Sequence, residues 1–260
     1  MSVIYNEIGK GYDATRCPDP EILNTLASLI SVRENGLYLD AGCGTGNYTN
    51  ELSKAGGTWK AFDQSELMIE KAKEKNSNIE WSIFDVIKTS YKSASFNSIV
   101  CTLAIHHFPD LNEAFKEISR VLVPKGKFVI FTSTPEQMSS YWLNYYFPIM
   151  LERSIDQMPS ISKIEAALCT ANLKLIKVQP FSVSKELKDL FLYSGKQRPE
   201  MYLSYAVRAG ISSFRNFCPV TELESGLLLL AADIESGNIQ AIIEKYEKGK
   251  GDYCFLVAQK

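Results

Sequence analysis

The chain has 260 residues, 45% hydrophobic and 22% charged, which excludes disorder, collagen-like repeats and a membrane-embedded body and leaves room for one large domain or two small ones. Lysine and arginine total 28 against 30 aspartates and glutamates, a net charge of -2. No global field therefore draws in nucleic acid or anionic lipid, and a small-molecule partner is expected, with neither nucleic acid nor membrane.

The opening MSVIYNEIGKGYDATRCPDP lacks the apolar core of a secretory signal. The most apolar run, 227–232, falls well short of the roughly 20 residues of a membrane span. Cys17, Cys43, Cys101, Cys169, Cys218 and Cys254 form no C-x-x-C pair, and the histidines are only the adjacent His106 and His107. No metal is expected, most of the cysteines read as small core residues, and a cytoplasmic protein with reduced thiols follows.

Asp19-Pro20-Glu21 signals the first helix, with Ile22, Leu26, Leu29 and Ile30 on one face. Strands are predicted over 37–41, 58–62, 79–84, 98–103 and 127–132, and helices over 47–54 and 65–75. A further helix starts at Asp110, where Glu113 is expected to complete a capping box, and stops at Pro124 and Gly126. Alternating strands and helices imply parallel strands, right-handed crossovers and an α/β sheet covered on both faces. Beyond it, 134–160 is rich in aromatics and methionine, 161–171 reads as helix and 173–181 as strand. Residues 184–248 read as mostly helical, including a helix capped at Thr221 with Glu224 three positions on, and 253–258 as a closing strand.

The segment 37–47 runs from a strand through Gly42, Gly44 and Gly46 into a helix, exposing bare backbone at a helix N-terminus. The dinucleotide fingerprint G-x-G-x-x-G would need glycine where Asn47 stands. Asp40, two residues before the first glycine, would repel a pyrophosphate and attract an ammonium or sulfonium. Asp63, 21 residues after Gly42, ends the second strand, where a carboxylate can accept both ribose hydroxyls. Asp85-Val86 follows the third strand and can read an adenine amino edge. These residues outline an adenosine carrying positive charge. The P-loop pattern and the G-x-S-x-G elbow are absent.

The run from Asp40 to Gly46, Asp63, Asp85-Val86, Ile105 to Asp110 and Arg120 to Gly126 resemble, in order and spacing, the motifs of class I S-adenosylmethionine-dependent methyltransferases. The likeness covers about 36–133 and is greatest to the type 11, small-molecule group that includes quinone-biosynthesis and trans-aconitate methyltransferases. It implies a Rossmann-like, doubly wound, seven-stranded, mostly parallel sheet of order 3-2-1-4-5-7-6 with the last strand antiparallel, and helical lid insertions. One methyltransferase domain over 1–260 is expected, with its cofactor-binding core at 36–133 and lid or substrate-side insertions at 134–160 and 182–250. The implied cofactor is S-adenosylmethionine, leaving as S-adenosylhomocysteine, with no metal.

Carried onto this chain, the resemblance implies that Asp40, Gly42, Cys43 and Gly44 surround the methionine portion and that Asp63 holds the ribose. Gln64 and Met68 would flank the adenine, Asp85 and Val86 read its amino edge, and Leu103 present backbone. Tyr12 and Arg16 would close over the methionine end, Arg16 pairing with the carboxylate. The plainer alternatives are a solvated Arg16, an Asp40 that caps its turn and an Asp63 at a solvated strand end.

A sulfonium is already an activated leaving group, so the protein must mainly align acceptor, methyl and sulfur and exclude water. A base is needed only where the acceptor carries a proton. His106 is the candidate, against a structural histidine beside the cofactor. Tyr141, Trp142 and Tyr145, with Tyr146 and Phe147 and followed by Met150 and Met158, suit either a lid over the acceptor or the packing of a helix on the body. Arg208 and Arg215, seven apart, would share a face of one helix and suit an anionic acceptor, against the alternative of solvated arginines. Cys17, Cys169 and Cys218 invite comparison with arsenite methyltransferases, but where those enzymes place a ligand this chain has Ala104-Ile105-His106. The expected activity is methyl transfer to a small molecule, by a monomer or homodimer. The competing readings are a non-catalytic cofactor-binding regulator or scaffold and a nicotinamide-dependent oxidoreductase.

Overall fold

Asp19 opens the first long helix among residues 15–260, the part of the chain that this computed structural model describes. Its carboxylate accepts from the backbone of Glu21 and Ile22, Pro20 occupies the first turn, and the helix Pro20–Ile30 buries Ile22, Leu26 and Ile30. The chain then alternates β1 (Leu37–Ala41), helix Asn47–Ser53, β2 (Thr58–Asp63), helix Glu66–Lys75, β3 (Glu80–Ile83) and β4 (Phe96–Thr102). Helix Leu111–Val121 leads directly into β5 (Leu122–Thr132), and β6 (Lys174–Phe181) and β7 (Tyr253–Gln259) complete the sheet.

The sheet order is β3-β2-β1-β4-β5-β7-β6, with β7 antiparallel to both neighbours and the remaining pairs parallel. This is the doubly wound arrangement implied by the resemblance. The order reverses direction at β1, whose Asp40 lies beside Ala61 on one side and Val100 on the other. A crevice opens at such a switch point, outside the carboxyl ends of the strands. Gly42, Leu103 and Ser133 follow β1, β4 and β5 at that edge, and Asp63 closes β2.

Two apolar layers clothe the sheet. One face packs Phe62, Phe96 and Phe128 against Phe115 and Ile118 of helix Leu111–Val121. On the other, Tyr38, Trp59 and Phe131 share one continuous core with Tyr141, Trp142, Phe147 and Tyr202, so the segments after β5 are built onto the sheet as a cap. Glu222 of helix Val220–Ser236 is buried and accepts from the Ile149 and Met150 backbone at 2.5 and 3.0 Å, capping helix Pro148–Asp156 from a distant part of the chain. In the same helix Gly226 faces the Tyr146 carbonyl and the Phe147 ring so closely that a Cβ there would lie 2.4 Å from the carbonyl oxygen.

Several local expectations are corrected. Asp110 does cap its helix, but Glu113 pairs with Lys116 at 2.8 Å instead of returning to the cap. Helix Val220–Ser236 starts behind Pro219 with no side-chain cap, so Thr221 and Glu224 do not open it. The stretch 184–198 is irregular, and beyond it short helices Tyr205–Ala209 and Ser212–Asn216 precede the long one. Of the six cysteines, Cys101 and Cys254 are buried while Cys17 and Cys169 are exposed, so most are not core residues. No single helix among the described residues is long and apolar enough to cross a membrane, and the pair Val220–Ser236 and Ile239–Tyr246 bends by 107° at its junction.

Candidate active site

The glycine loop leaves β1 with Gly42, Gly44 and Gly46 at φ of 77°, 55° and 73°, left-handed backbone that favours glycine. Two of the three are crowded: a Cβ on Gly42 would lie 2.8 Å from the Ala104 Cβ, and one on Gly46 2.4 Å from the Trp81 ring. Above Gly44 there is open space. Its N–H donates to Asp63 Oδ2 at 2.9 Å while Asp63 Oδ1 accepts from the Ser65 backbone at 2.9 Å, so the end of β2 is tied to the loop. Burial raises the Asp63 carboxyl above its ordinary range against these hydrogen bonds.

Asp40 is 2% exposed. Its Oδ2 accepts from Thr49 Oγ1 at 2.7 Å, whereas Oδ1 is buried with no hydrogen-bond partner. Burial, aided by the charge of Asp63, pushes its carboxyl up to about 7. A carboxylate so placed is short of one donor or cation.

These residues line a cleft with about 980 Å³ of free space, its open mouth included, together with Gln64, Met68, Asp85 and Val86. Asp85 is exposed at its edge and Val86 buried. Leu103, at the end of β4, also lines it and adopts φ of 52°, a strained backbone for a branched residue. Of the predicted cofactor residues the cleft thus gathers Arg16, Asp40, Gly42, Cys43, Gly44, Asp63, Gln64, Met68, Asp85, Val86 and Leu103. Tyr12 lies outside the described residues.

Arg16 pairs within the protein. Its Nε meets Asp189 Oδ1 at 2.5 Å and its Nη2 meets Oδ2 at 3.2 Å, while Tyr48 donates to the same Oδ2 at 3.1 Å. Asp189 is fully buried on the cleft wall, and burial raises its carboxyl despite the guanidinium. The backbone reinforces the junction, with Leu190 N donating to Thr15 O at 2.9 Å.

A second chamber, with about 1660 Å³ of free space measured the same way, adjoins the cleft across Arg16, Gln64, Leu103, His107, Phe108 and Pro109. His106 lines this chamber and His107 both cavities. Their rings lie 3.9 Å apart. Burial, with His107 and Arg16 nearby, holds His106 well below the ordinary imidazole range, and burial brings His107 down to about 4, so both are neutral near pH 7. His106 Nδ1 is buried without a partner.

The expected substrate residues are not there. Tyr141 and Trp142 are fully buried in the cap core and line neither cavity. Tyr141 stacks on Tyr193 at 3.8 Å and its hydroxyl meets Ser133 Oγ and the Asp252 carbonyl, while Trp142 Nε1 donates to Lys196 O at 3.0 Å. Tyr145 is at the surface. Arg208 turns back to the Tyr202 carbonyl at 2.5 Å and lies on a different helix from Arg215, so the two share no face. The chamber wall comes instead from Met138, Met158, Phe191, Ile211, Ser213 and Asn216, among others. Met158 is the expected lid residue that does line the chamber; no short motif marks the others, which converge only once the cap has folded.

Residues 39–130 match the methyltransferase domain family. A solved structure from Anabaena variabilis, assigned as a methyltransferase of an antibiotic biosynthesis pathway, is 30% identical with a TM-score of 0.83, covering 94% of this chain and 98% of that one. The chain belongs to the class I S-adenosylmethionine-dependent methyltransferases. It is also similar to the demethylmenaquinone methyltransferase of Oceanobacillus iheyensis, 28% identical over 181 residues that span 66% of this chain and 74% of that protein. The corresponding enzyme of Staphylococcus aureus is 33% identical over 132 residues, 46% of this chain and 55% of the relative's length. A geranyl diphosphate C-methyltransferase from Streptomyces coelicolor, solved with S-adenosylhomocysteine, shares the fold at a TM-score of 0.58 and 14% identity, covering 92% of this chain and 75% of that one.

Membership of this family brings S-adenosylmethionine as the methyl donor. What the motifs could not indicate in this methyltransferase is Asp189. An aspartate in an irregular segment carries no local signal, and its partner Arg16 is 173 residues away.

Proposed function

We propose that this methyltransferase, as one domain, holds S-adenosylmethionine in the glycine-loop cleft and methylates a small molecule seated in the adjoining chamber. The observation that carries the reading is the buried, unpartnered Oδ1 of Asp40 in the wall of the cleft that Gly44 also lines. An anionic pyrophosphate would meet that carboxylate unfavourably, whereas a cationic amino-acid end supplies what it lacks. Asp63, already oriented by Gly44 and Ser65, keeps lone pairs for the ribose hydroxyls. Val86, Met68 and Gln64 form the adenine walls, Asp85 accepts from the amino edge, and Cys43 adds backbone at the methionine end.

When bound, the cofactor supplies a methyl group on a positively charged sulfur, already activated for displacement. The protein aligns an acceptor from the chamber with that methyl group in line and keeps water out, the walls of Leu103 and Phe108 separating the two cavities. His106 is the group proposed to take a proton where the acceptor carries one. Arg16, fastened to Asp189, closes the methionine end from the N-terminal side. A small-molecule acceptor is in keeping with relatives whose names give demethylmenaquinone and geranyl diphosphate.

Two measurements test the reading. Thermal unfolding with S-adenosylmethionine, S-adenosylhomocysteine and NAD should show stabilisation by the first two, and stabilisation by NAD alone would overturn it. Incubation with methyl-labelled cofactor and fractionated cell extract should yield a labelled small molecule by mass spectrometry. Tight cofactor binding with no labelled product in any fraction would favour the non-catalytic regulator.

A further inference from the structure

The two cavities differ in charge. Four carboxylates and one guanidinium line the cleft: Asp40, Asp63, Asp85 and Asp189 with Arg16. Among the described residues lining the chamber there is no aspartate, glutamate or lysine. Its charged group is Arg16, which is already bound by the buried Asp189 at 2.5 Å. Both histidines that reach the chamber are neutral near pH 7.

An ammonium, carboxylate or phosphate brought into such a space would lose hydration and gain no unpaired counter-charge, a cost that selects against all three. The walls are suited to something else. Met138, Met158, Phe191, Ile211 and Phe217 offer apolar and aromatic surface. The Ser133 hydroxyl is occupied by Tyr141 and the Asp252 carbonyl, and that of Ser154 donates to the Met150 carbonyl at 2.7 Å. Ser212, Ser213 and Asn216 of helix Ser212–Asn216, with Gln64, Gln157 and His106, are left to address a polar substituent. By the same measure the chamber is larger than the cleft, so its occupant can exceed an amino acid in size.

Resting on the reading that the cleft holds S-adenosylmethionine, we propose that the chamber takes an uncharged, mainly apolar acceptor larger than an amino acid and bearing an acidic hydroxyl, of the phenol or enol class, that faces His106. The oxygen–methyl bond forms as the sulfur–methyl bond breaks, the hydroxyl proton passes to the imidazole of His106 and then to water, and S-adenosylhomocysteine leaves as a neutral thioether. A weakly basic, desolvated imidazole can serve a phenol, which titrates near 10, far better than an alkanol.

The test uses the full chain saturated with S-adenosylhomocysteine and three probes of one ring size: 1-naphthol, 1-naphthylmethylamine and 1-naphthyl phosphate. Calorimetry should show 1-naphthol binding at least about tenfold more tightly than either charged probe. Preference for a charged probe, or no preference, overturns the proposal. Met158→Trp, which fills the chamber, should weaken 1-naphthol binding by about tenfold while S-adenosylhomocysteine affinity stays within about twofold. Asn216 is exposed and its replacement is compatible with folding. Asn216→Arg should therefore raise 1-naphthyl phosphate affinity about tenfold, and an unchanged value counts against the acceptor lying there. Should S-adenosylhomocysteine itself fail to bind the wild type, the cofactor reading falls instead, so the two failures are told apart.

Discussion

Asp40 in the sheet and Tyr141 in the cap are both buried polar side chains, yet they are treated in opposite ways. The Tyr141 hydroxyl reaches Ser133 and the Asp252 carbonyl, and its neighbours Trp142 and Tyr202 also spend their polar tips on backbone carbonyls. Asp40 keeps an oxygen with no partner, Leu103 keeps a left-handed backbone, and His106 keeps a nitrogen unpaired, all at the carboxyl edge of the sheet. Completed hydrogen bonds mark material that holds the cap on the body. The cap also leaves Ser194 Oγ and Arg198 Nε unpartnered, but three such atoms belong to Asp40, Thr102 and His106, which line the two cavities where a ligand is expected to complete them.

The sharpest way to break this contrast is Trp142→Ala. Deleting a fully buried indole and orphaning the Lys196 carbonyl should cost about 3 to 5 kcal/mol by denaturant unfolding. Cofactor affinity of the surviving folded fraction should be nearly unchanged; the reverse pattern would restore Trp142 to a lid. His106→Ala should lower turnover on a hydroxyl acceptor about a hundredfold, with S-adenosylhomocysteine affinity within about twofold. An equal fall in both would make this histidine a cofactor-site support and not a base. Asp63→Ala should weaken cofactor binding by about 1 to 3 kcal/mol in calorimetry. An unchanged constant would remove it from the ribose site.

Asp40 gives the comparison a pH signature. Ligand-free, its carboxyl titrates at about 7, so ionising it costs stability as pH rises from the ordinary carboxyl range to that value. A cationic ligand favours the ionised form, so binding must expel a proton below pH 7. Cofactor affinity should therefore rise by up to about tenfold per pH unit below 7 and level off above it. Asp63 and Asp189, whose carboxyls burial also raises, line the same cleft and contribute to this window. Asp63 shifts it upward, Thr49 carries no charge, and the Cys43 and Cys101 thiols are driven well above their usual value by burial and by these carboxylates. A flat profile from pH 5 to 8 would mean that Asp40 senses no charge on the ligand.

Much of the sheet half was legible because its signals are local. A strand carrying Asp40 just before its end, a glycine loop and an acidic residue at the end of the next strand are each local to a βα unit, and period and capping residues located the elements to within a few positions. The cap resisted for a matching reason. An aromatic run such as 141–147 reports that much surface must be buried but not which surface covers it, so a lid and a core look alike in sequence. The seven-residue spacing of Arg208 and Arg215 presupposed one helix, and the chain breaks between them at Gly210 and Ile211. Asp189, Glu222 and Asp252 act across long separations, pairing with Arg16, the 149–150 backbone and Lys196, and no periodicity encodes that.

The smallest expected effect comes from Tyr145, the third aromatic of the same run. It is 38% exposed, with its ring edge-on to Tyr146 at 5.0 Å, and it lines neither cavity. Tyr145→Ala removes one partly solvated ring contact and orphans no buried group, so stability should change by no more than about 0.5 kcal/mol. Turnover and cofactor affinity should match the wild type. It stands three positions after the indole whose loss should be so costly, and both residues are aromatic. The difference is whether the ring is closed into the cap core, as Trp142 is, or turned outward. A tenfold loss of turnover in Tyr145→Ala with unchanged stability would mean that the cap moves its outer aromatics over the acceptor during the reaction, and that the division drawn here between cap core and ligand-facing edge is too sharp.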